Sequence, residues 1–105
     1  MNETQDHTTT MPAPSSEAFE SLLEFFKALA DANRLKIVGM LATQPLTVEQ
    51  LAEMLNLRPS TVSHHLSYLS HVGLVSARAE SYYNVYQLEA GALDRRQLLV
   101  PRLFE

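Results

Sequence analysis

Residues 58–72 read Arg58-Pro59-Ser60-Thr61-Val62-Ser63-His64-His65-Leu66-Ser67-Tyr68-Leu69-Ser70-His71-Val72, and the fold follows from how this stretch divides into faces. Proline is favoured in the first turn of a helix, where its missing N–H would have had no intrahelical partner, so Pro59 marks a start. Val62, Leu66, Leu69 and Val72 recur at helical spacing and predict a buried face. His65 falls beside them and is expected to be a hydrogen-bonded core histidine. The opposite face carries Ser60, Thr61, Ser63, His64, Ser67 and Tyr68, small or polar and free of acids. No Asp or Glu occurs in residues 54–79, a window that holds Arg58, Arg78 and three histidines. A surface that meets phosphates has to exclude carboxylates.

Just upstream, Thr47 and Gln50 have capping-box spacing, which sets a helix start at Thr47 with Val48, Leu51, Ala52 and Leu55 as its inner stripe. Only residues 56–58 separate it from the helix at Pro59. Two short amphipathic helices joined by so tight a turn, the second with a polar outer face, make a helix-turn-helix. Before them, Phe19, Leu22, Leu23 and Phe26 step through i, i+3, i+4 and i+7 and predict a first helix over 16–30. Asp31 is placed to cap a second helix running to residue 42, with Leu35, Ile37, Val38 and Leu41 inward. Residues 1–15 are polar, rich in Thr, Pro and Ser, and are expected to form a disordered tail.

Gly73 ends the polar-faced helix as a C-terminal glycine does. Residues 74–79 and 83–88 are short runs rich in Val, Tyr and Leu, separated by Glu80-Ser81-Tyr82, and predict a hairpin. A last helix is expected over 92–100, stopped by Pro101. Its apolar residues Leu93, Leu98 and Val100, with Leu103 and Phe104 beyond, need cover that a second subunit can supply. The expected fold is mainly α with a small β-hairpin, a dimeric winged helix-turn-helix of order ααααββα filling residues 16–105.

The totals agree with one domain. The 105 residues carry eight Lys plus Arg against twelve Asp plus Glu, a formal net charge of −4, so any contact with DNA has to come from a local patch. The acids are unevenly placed, with eight in residues 1–53, none in 54–79 and four in 80–105. Cysteine is absent, which excludes disulfides, thiolate metal sites and thiol redox sensing. No long apolar run or signal-peptide pattern occurs, so the expectation is a cytoplasmic protein with no membrane partner.

With this order of elements, the sequence resembles the ArsR/SmtB family of winged-helix transcriptional repressors over residues 16–88. The resemblance is carried by Phe26-Lys27-Ala28-Leu29-Ala30-Asp31-Ala32-Asn33-Arg34-Leu35-Lys36-Ile37, by Ser60-Thr61-Val62-Ser63-His64-His65-Leu66, by Gly73-Leu74-Val75 and by Tyr86-Gln87-Leu88. It implies a homodimer joined through the first and last helices, with each polar-faced helix in a major groove of double-stranded DNA. It places Ser60, Ser63 and His64 where family members touch DNA, in agreement with their outward positions here.

Two departures matter. The wing tip is Glu80-Ser81-Tyr82, where the family usually has glycine and a basic residue; Glu80 repels phosphate and leaves Arg78 as the wing's main basic group. The family's metal sites use cysteines of the third helix or Asp, His and Glu of the last one. Neither pattern is present, so metal sensing is not carried over and no cofactor is expected.

The expected DNA contacts are therefore Arg58, Ser60, Thr61, Ser63, His64, Ser67, Tyr68, Arg78 and Tyr82. The expected dimer contacts are Phe19, Leu22, Leu23, Phe26, Leu93, Leu98, Val100, Leu103 and Phe104. His64 and His71 are seven residues apart, too far for one zinc ion without further ligands. Arg95 and Arg96 read as solvated, and no nucleophile–base pair, phosphate loop or carboxylate pair supports catalysis. The competing readings are a winged-helix module that binds another protein, and a repressor responding to metal through His and carboxylates.

Overall fold

In a computed structural model, residues 16–92 are described. They fold as helices α1 (Ser16–Leu29), α2 (Ala32–Leu41), α3 (Val48–Leu55) and α4 (Pro59–His71), then strands β1 (Val75–Glu80) and β2 (Tyr83–Leu88). The helix-turn-helix and the hairpin therefore stand where the sequence puts them. Ala92, the last described residue, is helical and buried. The expected tail over 1–15, the remainder of the last helix and the residues Leu93, Leu98, Val100, Leu103 and Phe104 lie outside the described residues. None of the described helices is long and apolar enough to cross a membrane.

Local chemistry sets most of the boundaries. The Asp31 carboxylate accepts the Arg34 N–H at 3.0 Å, capping α2. Thr47 and Gln50 form the reciprocal cap of α3, with the Gln50 N–H on Thr47 Oγ1 at 3.1 Å and the Thr47 N–H on Gln50 Oε1 at 2.9 Å. Asn56 ends α3 in the left-handed region, φ 56°, which asparagine tolerates better than most residues. Gly73 ends α4 with φ 80°, donating to Ser70 O while the Leu74 N–H reaches Leu69 O at 2.9 Å. That pair of bonds is a Schellman closure, and it brings Leu74 against Leu69, both buried.

The core is one cluster in which α4 is central. Val62, Leu66 and Leu69 are fully buried and join Ile37, Leu41, Leu51 and Leu74. Leu35 departs from expectation: it is 55% exposed, because α2 turns Ile37, Val38 and Leu41 inward and leaves Leu35 on another side. On α1 the buried residues are Leu22, Phe25 and Ala28, whereas Phe19 and Phe26 are each about half exposed. At 3.6 residues per turn the two sets lie about a third of a turn apart, so α1 is apolar on two adjacent faces and the protomer uses one of them.

The strands pair antiparallel from Val75 opposite Leu88 to Glu80 opposite Tyr83, closed by the turn Ser81-Tyr82 with Ser81 at φ 62°. A contact invisible to local pattern anchors this wing. Leu46, between α2 and α3, pairs with Tyr86, its N–H on Tyr86 O at 3.0 Å and the Tyr86 N–H on Leu46 O at 2.8 Å. The wing is thus tied to the start of the helix-turn-helix.

Candidate nucleic-acid interface

Burial of Val62, Leu66 and Leu69 turns the other side of α4 to solvent. Ser60, Ser63, His64 and Ser67 are exposed there, while Thr61 is half-buried. Arg58, exposed at the N-cap, supplies no side-chain cap. Pro59 has no N–H, and the Thr61 and Val62 N–H groups donate to Arg58 O at 3.0 and 3.1 Å, so in the first turn of α4 the Ser60 N–H is the one left for an outside acceptor. Hydroxyls and an imidazole on one acid-free helix can bond base edges and phosphate oxygens without electrostatic opposition.

Tyr68 does not join that face. Its ring is half-buried against the core, and the Arg34 guanidinium lies over it, 4.1 Å from the ring centroid. The physical reason is that Tyr68 lies two positions from Leu66 and one from Leu69, on the flank where α4 meets α2, and a stacked cation covers what the core leaves open. Arg34 itself went unread as a site residue, although it stands inside the stretch that carries the family resemblance. Its Nε donates to Ala28 O at 2.7 Å and its Nη2 to Lys27 O at 3.2 Å, so one side chain satisfies the last carbonyls of α1 and clamps α4. Arg34→Ala is expected to cost about 2 kcal/mol by losing the stack and leaving those carbonyls to water, read by urea unfolding. Arg34→Lys should restore little of it, because an ammonium lacks the planar fork; full recovery by lysine would show that only charge matters.

The Arg34 N–H bond to Asp31 is also the main cause of a lowered carboxyl pKa at Asp31, reinforced by the charges of Arg34 and His65 and opposed by slight burial. A carboxyl lowered by folding contributes stability above its unfolded pKa, which fades as pH falls through the folded value. His65 departs from the expected hydrogen-bonded core residue: it is half-buried, and its Nδ1 is buried with no hydrogen-bond partner.

On the wing, residues 76, 78 and 80 share a face with 83, 85 and 87. Arg78 uses it fully: Nη1 donates to Gln87 Oε1 at 2.6 Å and Nη2 to Glu80 Oε2 at 3.2 Å. Tyr82 is fully exposed at the tip. Between this face and the start of α3 runs an open cleft of about 530 Å³, lined in part by Thr47, Glu49, Gln50, Arg78, Glu80 and Tyr83. Among the described residues, no three His, Asp or Glu side chains gather in a way that could hold a metal.

Comparison with known proteins agrees with this geometry. Residues 31–77 match the profile described as bacterial regulatory protein, arsR family. An uncharacterized HTH-type transcriptional regulator of Methanocaldococcus jannaschii is 37% identical over 73 residues, 69% of this chain and 82% of the relative. The transcriptional activator HlyU of Vibrio cholerae is 36% identical over 78 residues, 74% of this chain and 72% of the relative. The solution structure of a homodimeric winged helix-turn-helix DNA-binding domain from Mycobacterium bovis superposes with a TM-score of 0.71 at 29% identity, covering 86% of this chain and 85% of that one.

Proposed function

Since the chain belongs to the ArsR family of bacterial regulatory proteins, we propose that it is a sequence-specific DNA-binding transcriptional repressor that binds an inverted repeat as a homodimer. The observation that carries this is the outer face of α4: exposed, free of acids, and backed by Val62, Leu66 and Leu69, each fully buried. A helix held this firmly from behind can be laid into a major groove without repacking the domain.

In this reading Ser60, Thr61, Ser63, His64 and Ser67 meet base edges and nearby phosphates, while Arg58 and Tyr82 meet the backbone. Phe19 and Phe26, half exposed on one side of α1, are what a partner would cover, with Leu23 beside them. The apolar residues at the chain end would complete that interface. A two-fold dimer presents two copies of α4, so the half-sites should be inverted and about one helical turn, roughly 34 Å, apart. Repression follows if the dimer occupies a promoter in the cytoplasm; among the relatives, the Vibrio cholerae protein is named an activator and one from Bacillus subtilis a repressor.

The test is footprinting of the purified protein on DNA around its own gene. Two protected half-sites a helical turn apart are expected, and a folded dimer that prefers no fragment would sink the proposal. Few free cations flank α4, so the log-log salt slope of operator binding should lie at roughly −2 to −4, at about −0.9 per neutralised phosphate. A slope of about −7 or steeper, the mark of eight phosphates, would contradict this interface.

A further inference from the structure

We propose that Glu80 is an internal competitor for the wing's phosphate contact: it holds Arg78 in a neutral pair, so that the wing approaches DNA without net positive charge. The inference rests on the DNA-binding reading above. Arg78 is the only cation in residues 75–88, hence the whole of the wing's positive charge toward a phosphate backbone. Its guanidinium is fixed from two sides, 2.6 Å from Gln87 Oε1 and 3.2 Å from Glu80 Oε2. Register explains the arrangement: Arg78 and Glu80 are two apart on β1, and Gln87 lies on the same face of β2. A carboxylate oxygen is the same kind of charged acceptor for a guanidinium as a phosphate oxygen, so Glu80 Oε2 at Nη2 stands where one phosphate oxygen would bind.

Both partners are about half exposed, 47% and 52%, so the pair is shallow and a phosphate can displace or share it. Its effect is on charge accounting in the complex. An arginine already compensated by Glu80 releases few counterions on meeting DNA, and counterion release drives sequence-independent binding. Glu80 thereby lowers affinity for arbitrary duplex while leaving the contacts of α4 untouched. Gln87 keeps the guanidinium extended toward the cleft beside Thr47 and Gln50. Glu80 is in these terms a specificity-determining residue acting through Arg78.

The experiment compares wild type, Glu80→Gln, Arg78→Gln and the double variant, titrated by fluorescence anisotropy against the operator fragment and a scrambled duplex of equal length over a range of salt. All the changes are on an exposed hairpin, and circular dichroism and gel filtration confirm equal fold and assembly. Glu80→Gln is expected to tighten the scrambled duplex about tenfold at low salt. It should also steepen the slope by about 1.8 per dimer, one phosphate per wing. Most of this gain should vanish when residue 78 is glutamine. A gain as large or larger with glutamine at 78 would mean that Glu80 only repels DNA directly, and would overturn the inference. Unchanged binding by Glu80→Gln would overturn it too, placing the wing away from the backbone. In both cases wild-type operator selectivity leaves the functional reading standing. A wild-type dimer without selectivity overturns that reading, and this inference with it.

Discussion

Replacing Ser63 and His64 together by alanine is expected to weaken operator binding by about three orders of magnitude while leaving fold and assembly intact. Both side chains are exposed on α4, and neither is a member of the core. Each stands to lose about 1 kcal/mol of hydrogen bonding to a base edge or phosphate. With two residues in each of two protomers the total is about 4 kcal/mol, about a thousandfold in Kd. Stability should not fall, since alanine has a higher helix propensity than serine or histidine on a solvated face. The measurement is Kd on the footprinted operator beside the thermal midpoint of each protein. Binding within a few-fold of wild type would remove α4 as the reading helix, whereas a collapse of the thermal midpoint would mean that the two residues are structural. The single variants, each expected to lose a smaller factor, would apportion the loss between hydroxyl and imidazole.

The second large effect is on stability. Leu66 is fully buried at the centre of α4, between Val62 and Leu69 and in one cluster with Ile37, Leu41, Leu51 and Leu74. Leu66→Ala removes its transfer free energy and leaves a cavity that the rigid surrounding helices close only in part, a loss of about 3 to 4 kcal/mol. Against a total of about 5 to 15 kcal/mol for a domain, this should bring unfolding close to working temperatures. Urea denaturation at one fixed protomer concentration is the measurement, because assembly links apparent stability to concentration. A loss under about 1 kcal/mol would mean that α4 is loosely docked and that its outer face is not held rigidly for DNA.

The two variants divide the helix between its two tasks. On the proposed function, one face would supply the contacts to DNA and the other the stiffness that makes them specific. Arg34 joins α4 to α1, through its stack on Tyr68 and its bonds to Ala28 O and Lys27 O.

What the sequence determined by itself is what neighbouring residues settle among themselves. Thr47 and Gln50 cap α3, Pro59 opens α4, Gly73 closes it, and the spacing of Val62, Leu66 and Leu69 selects its inner face, because each of these acts over one or two helical turns. The acid-free outer face of α4 was legible for the same reason. Only the tertiary structure decided which of α1's two apolar faces enters the core, why Leu35 stays outside, that Arg34 covers Tyr68, that Leu46 bridges to Tyr86, and that Gln87 and Glu80 hold Arg78 between them. Pattern fixes a residue's side of a helix or strand to within a neighbouring position. Which side meets a neighbour, and which polar atoms end within 3 Å of each other, depends on how whole elements pack, and that is decided by the summed burial of residues far apart in the chain.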